Sequence, residues 1–239
     1  MISAGSLTVT ASTPPPRLRQ LVDLLDARHS CRAFLPDEVP RETIASIVDT
    51  ASRTPSWANS QPWHATIASG PALARLRQAL QAHVSSSPPD APDFDFPDSY
   101  SGVYQARRRE CGLQLYAALD IAREDKAGRH RQLLRNYEFF SAPHVAILTA
   151  PAEQGVYGAV DCGGFVCAFL LAAEASGIAS IAQAAPARYS PVVKECLGIG
   201  DDRRMVCAIS FGFEDHAHAA NSYRTRRAVV GELVTWLDH

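Results

Sequence analysis

The chain has 239 residues, of which 46% are hydrophobic and 20% charged, an ordinary composition for a globular protein able to bury a sizeable core. Its formal net charge of −2 at pH 7 implies no broad basic face, which argues against nucleic acid or an anionic membrane as a partner. The six cysteines show neither a Cys-x-x-Cys pair nor a zinc-ligand spacing with histidine. This predicts reduced, mostly buried thiols in a cytoplasmic protein.

The sequence divides into a leader and one domain. Residues 1–16 are rich in Ser, Thr, Ala and Pro and lack the basic and apolar regions of a secretory signal, which predicts a flexible leader. Residues 17–239 are predicted to form a single domain. The most apolar stretch, residues 165–173, is far shorter than the roughly 20 residues that a membrane-spanning helix needs.

The first half of the domain is predicted to be mainly helical. Apolar residues at helical spacing predict amphipathic helices at residues 17–27, from Pro40 to Pro55 and around residues 73–80. The alternating stretch His64–Ser69 predicts a strand. Residues 84–99 are dense in Pro, Ser and Asp, and a long loop of this kind is either a disordered linker or a functional lid.

The second half mixes helices with short strands. Residues 103–134 are predicted as a basic helical stretch, and residues 161–176 as a helix that is apolar nearly all round and should lie in the core. Short strands are predicted at Val145–Leu148 and Met205–Phe213, before a C-terminal arm at about residues 214–239. Without regular βαβ alternation or a G-x-G-x-x-G motif, a Rossmann fold is disfavoured.

The segment Arg28-His29-Ser30-Cys31-Arg32 follows the first helix. In an extended chain Arg28, Ser30 and Arg32 point to the same side. Two guanidinium groups and a hydroxyl on one side suit a phosphate dianion. The alternative interpretation is a solvated basic turn.

A second segment, from Pro55 to Trp63 (PSWANSQPW), places amides, hydroxyls and two indoles between prolines. The Asn and Gln amides carry both donors and acceptors, so they can bind the mixed-polarity edge of a heterocycle such as a flavin. The prolines stiffen the loop and lower the cost of ordering it. The alternative interpretation is a tight structural turn, with Trp63 as a core anchor in either case.

A third segment, Asn221–Arg227, has three arginines in its last four positions. These arginines either belong to a solvated tail or close over a phosphate.

Taken in order, these segments resemble the nitroreductase family. The family pattern has a short Arg-x-Ser-x-Arg/Lys stretch after the first helix and, further along, an A/S-P-S-x-x-N-x-Q-P-W loop. Here the two are Arg28–Arg32 and Thr54–Trp63. The two signals are specific together and weak separately, and the resemblance, closest to nitrobenzoate-type nitroreductases, spans roughly residues 17–237.

The resemblance implies an α+β fold with a central mixed β-sheet flanked by helices, in an intertwined homodimer with FMN at the interface. It implies hydride transfer from NADH or NADPH to a nitroaromatic or similar acceptor by ping-pong turnover. Two alternatives remain open: an FMN-dependent dehalogenase or azoline dehydrogenase of the same fold, and a non-catalytic flavin-binding carrier. Deiodinase-like relatives use a lid, for which about residues 84–109 are the candidate here.

The resemblance also implies the cofactor-binding residues. Those expected around the FMN phosphate are Arg28, His29, Ser30, Arg32, Arg224 and Arg226, with Arg227 in place of Arg226 if the tail is shifted by one. Those expected to reach the same flavin from the partner subunit are Pro55, Ser56, Trp57 and Asn59. The backbone of Ala182, Gln183 and Ala184 should face the flavin N5, and Arg135 and Asn136 are the candidates for its N1–C2 edge.

Two further expectations concern chemistry. The flavin carries the redox reaction, so no catalytic side chain and no metal site are expected. Many family members have a small residue where this chain has Trp57, which suggests that the indole narrows the substrate pocket or stacks in it.

Overall fold

The computed structural model describes residues 14–86 and 89–237, so residues 1–13 of the predicted leader lie outside the described residues. Its helices are α1 (Pro16–Ala27), α2 (Arg41–Ala51), α3 (Gly70–Ser85), α4 (Gly102–Ala118), α5 (Lys126–Leu134), α6 (Gly155–Ala175) and α7 (Ser190–Leu197). Its strands are β1 (His64–Ser69), β2 (His144–Pro151), β3 (Ala179–Gln183) and β4 (Arg203–Gly212).

The four strands form one antiparallel sheet in the order β1-β2-β4-β3. With helices packed against both faces, this sheet confirms the expected α+β class. The resemblance implies a mixed sheet, whereas every strand pair in the described residues is antiparallel. Parallel pairing is limited there to an isolated bridge between Ser30 and Ser180, because the outer edge of β3 is bordered only by the short segment that follows α1.

Strand β2 separates two hydrophobic cores. Because side chains alternate along a strand, Leu148 faces Phe165 and Phe169 of α6, whereas Ile147 faces the opposite core with Leu76 of α3. All five side chains are buried. Helices α2 and α6 therefore cover one face of the sheet, and α3 and α7 cover the other.

Helix α6 begins six residues before the predicted segment 161–176. The expectation that this segment lies in the core is confirmed on the side that faces the sheet, where Phe165 and Phe169 are buried. The added first turns are largely exposed, with Val156, Tyr157 and Val160 at 66%, 58% and 62%.

The segment Ala152–Ala175, which contains α6, is long and apolar enough to cross a membrane by length and composition alone. Core helices of soluble proteins have the same properties. The packing of Phe165 and Phe169 against the sheet is that of a core helix.

The predicted helical stretch at residues 103–134 is two helices. The chain turns after α4 through Asp120, whose φ is +52°. The Asp125 carboxylate then starts α5 by accepting a hydrogen bond of 2.7 Å from the Gly128 amide. A side chain that accepts from the first helical turn is the usual N-terminal cap.

The candidate lid contains a docked loop followed by a helix. The Asp93 carboxylate accepts hydrogen bonds from the Met205 amide at 2.7 Å and from the Ser190 hydroxyl, and it pairs with Lys194 at 3.2 Å. These contacts hold the loop against α7 and the start of β4. Residues 102–109, the last part of the candidate lid, belong to α4.

Candidate active site

A cavity of about 260 Å³ opens at the C-terminal end of α1. Arg28, Arg32, Arg224 and Arg227 line it, together with one acidic residue, Asp26. Guanidinium groups bind phosphate through paired, charge-assisted hydrogen bonds. The excess of positive charge makes this cavity suitable for a phosphate group.

The segment after α1 is held in an extended conformation against β3. The Cys31 amide donates a hydrogen bond to the Ser180 carbonyl at 3.2 Å. The Cys31 side chain is buried, and Arg28, Ser30 and Arg32 line the cavity as expected for an extended chain, but His29 lines it as well. Burial raises the pKa of the Cys31 thiol to about 12, so this side chain is a neutral anchor.

Tyr223 orients one of the arginines. The Arg32 guanidinium donates to the Tyr223 hydroxyl at 2.9 Å and to the Ser30 carbonyl at 3.1 Å. Burial raises the pKa of Tyr223, so the ring stays neutral beside the cation. Sequence reasoning did not select Tyr223, although it lies within the segment Asn221–Arg227.

Asn221 fastens the C-terminal tail to the segment after α1. Its side-chain amide donates to the Ala33 carbonyl at 2.9 Å and to the Asp215 carbonyl at 3.0 Å. Its side-chain oxygen accepts from the Arg32 amide at 2.8 Å. A buried amide with donors and acceptor satisfied fixes the relative position of the two segments. The tail arginines therefore meet Arg28 and Arg32.

The tail register differs by one residue from the first expectation. Arg226 does not line the cavity: its guanidinium donates to the Glu110 carboxylate of α4 at 2.6 and 2.9 Å. Arg227 lines the cavity instead, which was the stated alternative. Its pairing with Glu110 directs the Arg226 side chain toward α4 and away from the cavity.

His29 also lines the cavity and is held by a carboxylate that sequence reasoning missed. Its Nε2 lies 3.1 Å from the Glu214 carboxylate, and the two side chains are only 12% and 13% exposed. His216 lies 3.5 Å from the same carboxylate. No pattern connects His29 with Glu214, because they lie in segments far apart in the sequence.

The outer edge of β3 lies next to the segment that lines the cavity. The Ser180 carbonyl accepts from Cys31, so its backbone points away from β4. Backbone groups two residues apart along a strand point the same way, and the amide of Ala182 therefore also points outward at this edge. A flat ring lying along this edge would meet that amide.

Hydrogen bonds of the Gln183 side chain hold the C-terminal end of β3 in place. Its side-chain amide donates to the backbone carbonyl of Asn136 at 3.1 Å, and its side-chain oxygen accepts from the Ser210 hydroxyl. The polar atoms of the Gln183 side chain are thus already hydrogen-bonded within the protein. Only the backbone of residues 182–184 is left to bind a ligand. Of the two candidates for the flavin N1–C2 edge, Asn136 adjoins this strand and Arg135 pairs with Glu138 at 3.4 Å.

The loop of residues 55–61 lies exposed beside α6 and follows the C-terminal end of α2. The Trp57 amide donates to the Asp161 carboxylate at 3.1 Å, and the exposed Trp57 ring meets Tyr157 edge-on at 4.7 Å between centroids. The conformation is tight, since Ala58 and Asn59 have φ of +51° and +55°. Asn tolerates this region better than most residues do.

The loop and the arginine cavity are separated within one chain. In the described residues, no member of the 55–61 loop lines the cavity. The 11-residue helix α2 lies between the two segments and spans about 16 Å at 1.5 Å per residue. Trp63, at the end of the loop, stacks on Phe165 at 5.5 Å, which confirms that it is a core anchor.

The fold and the site together define an α+β protein with a cationic cavity at the edge of its sheet. Residues 25–213 match the family model described as Nitroreductase family. That match covers well over half of the chain, and the chain belongs to the nitroreductase family.

Individual relatives agree with the family match. Nitroreductase NfnB of Mycolicibacterium smegmatis is 39% identical over 87% of this chain and 89% of its own length. A 4-nitrobenzoate reductase of Nocardioides sp. is 32% identical over 93% of this chain and 92% of its own length. The crystal structure of FMN-dependent NfnB from Mycobacterium smegmatis in complex with NADPH superposes with a TM-score of 0.86 at 37% identity, covering 92% of this chain and 99% of the other.

Proposed function

We propose that this protein is an FMN-dependent oxidoreductase that passes a hydride from NADH or NADPH to a nitroaromatic or similar acceptor. The arginine-lined cavity beside the β3 edge carries the proposal, because it provides a phosphate site next to a surface for a flat ring. The names of the relatives support it: they include a 4-nitrobenzoate reductase and an FMN-dependent nitroreductase solved with NADPH.

The residues present fit FMN. Arg28, Arg32, Arg224 and Arg227 would hold the phosphate, with His29 and Ser30 on the same wall. When bound, FMN supplies the redox chemistry, accepting a hydride from the nicotinamide and passing it to the acceptor. The part of this chain is to bind and orient the cofactor.

The backbone of residues 182–184 would orient the ring. The Ala182 amide at the outer edge of β3 would donate to the N5 side of the flavin. Its position is fixed because the Gln183 side chain is hydrogen-bonded to Asn136 and Ser210. A donor that is already in place costs no reorganisation when charge develops on the ring.

The remaining contacts would come from a second copy of the chain in a homodimer. Among the described residues, the loop with Pro55, Ser56, Trp57 and Asn59 does not line the arginine cavity of its own chain. A two-fold axis would bring the loop of one chain to the arginines of the other. The Trp57 ring would then narrow the acceptor pocket.

Exposed apolar surface supports the dimer. Val156, Tyr157 and Val160 of α6 are exposed, and on the neighbouring α1 Leu18 and Leu25 are 47% and 43% exposed. Exposed apolar side chains on two helices in contact are typical of an interface with another chain. The C-terminal arm adds further exposed apolar side chains: Val229, Val230, Leu233, Trp236 and Leu237.

The thiols favour a cytoplasmic location. All six cysteines are free, and burial raises the pKa of Cys162 and Cys207, as of Cys31, to about 12. Neutral buried thiols are typical of a reducing compartment.

The experiment is anaerobic reduction followed by reoxidation. The purified protein should be yellow, should release FMN and not FAD, and should be bleached quickly by NADPH or NADH. A panel of nitroaromatic, quinone and halogenated acceptors then reports which class restores the colour. A colourless protein that fails to take up FMN would contradict the proposal, and a yellow protein that stays oxidised would be a carrier.

A further inference from the structure

The turn between α5 and β2 contains an unusual run of left-handed backbone. Phe139, Phe140 and Ser141 have φ of +53°, +52° and +63°, and none of them is glycine. This region is unfavourable for residues with a Cβ atom, and three in succession persist only where the surrounding structure enforces them.

Arg77 of α3 spans this turn. Its Nε donates to the Glu138 carbonyl at 2.9 Å, and its Nη2 donates to the Ala142 carbonyl at 2.5 Å. One planar guanidinium thus holds the carbonyls on both sides of the left-handed run, which a flexible ammonium cannot do. The group is partly buried, and burial lowers its pKa while the Glu138 carboxylate opposes that shift.

The turn that Arg77 holds contacts both borders of the proposed cofactor site. Phe140 packs in a small cluster with Cys31 and Phe34, directly under the segment that carries the cavity arginines. At the start of the turn, the Asn136 carbonyl accepts from the Gln183 side chain at the end of β3. Both borders of the site, the arginine segment and the strand edge, therefore rest on this turn.

We propose that Arg77 is a positioning residue for the cofactor, acting through residues 136–142 of the turn between α5 and β2. The inference rests on the proposed function. In the described part of the chain Arg77 does not line the cavity, so it acts on the site only through Phe140 and Asn136. Without the clamp, the turn relaxes toward ordinary backbone, and the arginine segment and the β3 edge lose their fixed spacing.

The test compares Arg77→Lys and Arg77→Met with Arg75→Met, a control at an exposed position of the same helix. FMN affinity is measured by quenching of FMN fluorescence at a temperature at which circular dichroism shows every variant folded. We expect Kd to rise about three- to thirtyfold, the range of coupling through a packed network, and to rise more for Met than for Lys. The control should bind like the wild type.

A second substitution separates positioning from general loss of stability. Ser141→Gly removes the Cβ from one strained position at an exposed site. In the Arg77→Lys background it should restore most of the FMN affinity. Hydrogen exchange of the amides in residues 28–34 should be faster in Arg77→Lys and slower again in the double variant.

The outcomes are distinguishable. Wild-type affinity in folded Arg77→Lys, or a loss that Ser141→Gly does not reverse, would overturn the inference. Where Arg77→Met does not fold, Arg77→Lys alone decides. A wild-type protein that binds no FMN would refute the proposed function instead, and exchange in residues 28–34 of the flavin-free variants would still test the clamp.

Discussion

At the scale of single residues, the cavity depends on side chains that are positioned before any ligand arrives. Asn221 ties the two arginine-bearing segments together, and Tyr223 orients Arg32. Fixed cations lose little conformational entropy on binding a phosphate. Each cavity arginine should therefore contribute measurably to affinity.

Arg32→Ala and Arg227→Ala should weaken FMN binding about ten- to a hundredfold, because a hydrogen bond to a charged group contributes about 1.5–3 kcal/mol. Arg226→Ala is the matched control. Its side chain is 82% exposed and pairs with Glu110, and exposed pairs contribute about 0–1 kcal/mol. Fluorescence titration with FMN measures all three variants. Equal losses in Arg226→Ala and Arg227→Ala would place the phosphate elsewhere.

His144 should make stability depend on pH. It is 3% exposed, its Nε2 accepts from the Val39 amide at 2.8 Å, and it stacks on Phe211. Burial lowers its pKa from 6.5, so the unfolded chain takes up the proton at a higher pH than the folded chain does. The stabilising effect of neutral His144 is therefore complete above pH 6.5 and is lost as the pH falls toward its lowered pKa.

The measurement is urea unfolding at pH 7.5 and 5.5. His144 should account for at most about 1.4 kcal/mol of the difference in unfolding free energy per pH unit below its normal pKa. His144→Gln should shrink the difference between the two pH values, whereas His130→Gln, at an exposed position of α5, should leave it unchanged. An identical pH dependence in all three proteins would exclude His144 as the cause.

At the scale of elements, the sequence pattern predicted those bounds of helices and strands that depend on neighbouring residues alone. The bounds of β1 are as predicted, because six alternating residues lie between a proline-rich loop and a glycine. The core position of residues 161–176 was predicted correctly, but the start of α6 at Gly155 was not. The break between α4 and α5 was missed, although Asp125 is a typical helix cap.

The candidate site likewise contains residues that the sequence predicted and residues that it did not predict. Arg28, Ser30 and Arg32 line the cavity as the extended geometry predicted, although His29 between them lines it too. Glu214 was not predictable, because it meets His29 only after the end of β4 has been brought beside the segment after α1. Arg77 was missed for the same reason: its partners are carbonyls of a turn whose conformation no local pattern indicates.

Asp93 should hold the loop of the candidate lid in place. Asp93→Asn would weaken its three contacts and leave Lys194, only 11% exposed, without its closest carboxylate. Breaking a largely buried pair costs about 3 kcal/mol. We expect a fall in unfolding free energy of that order and faster proteolysis within residues 89–97. Asp95→Asn, at an exposed position of the same loop, is the control.

The same variant tests whether the loop also contributes to the phosphate site, which is a separate question from its candidate role as a substrate lid. Met205, which holds Asp93, lies at the start of β4, and Phe211 beside the arginine segment lies at its end. Six residues of strand separate the two by about 20 Å. FMN affinity in folded Asp93→Asn should therefore equal that of the wild type, and a large loss would favour a direct role for the loop in the phosphate site.

At the scale of the whole molecule, the single chain leaves exposed the surfaces that the proposed homodimer would use. It leaves apolar faces of α1 and α6 and the apolar end of the C-terminal arm exposed. In the described residues, it also keeps the 55–61 loop out of the lining of the arginine cavity. A two-fold dimer would bury these apolar surfaces. It would also combine the loop of each chain with the arginine cavity of the other chain into two composite sites.

A mixed dimer tests this arrangement. Arg32→Ala and Asn59→Ala each damage a different half of the proposed site. If each site combines the arginines of one chain with the loop of the other, a heterodimer of the two variants has one doubly damaged site and one intact site. It should bind one FMN per dimer with wild-type affinity. The measurement is flavin titration of a heterodimer purified through two different affinity tags.

The two homodimers serve as controls, since in each of them both sites carry one lesion and both should bind FMN weakly. FMN should also stabilise the wild-type dimer against dissociation, because a ligand that binds only the dimer shifts the equilibrium toward it. Sedimentation at falling protein concentration, with and without FMN, measures this effect. Two equally weakened sites in the heterodimer would show that each chain binds FMN with its own arginines and its own loop. A monomer that carries a full complement of FMN would exclude the dimer as a requirement for the site.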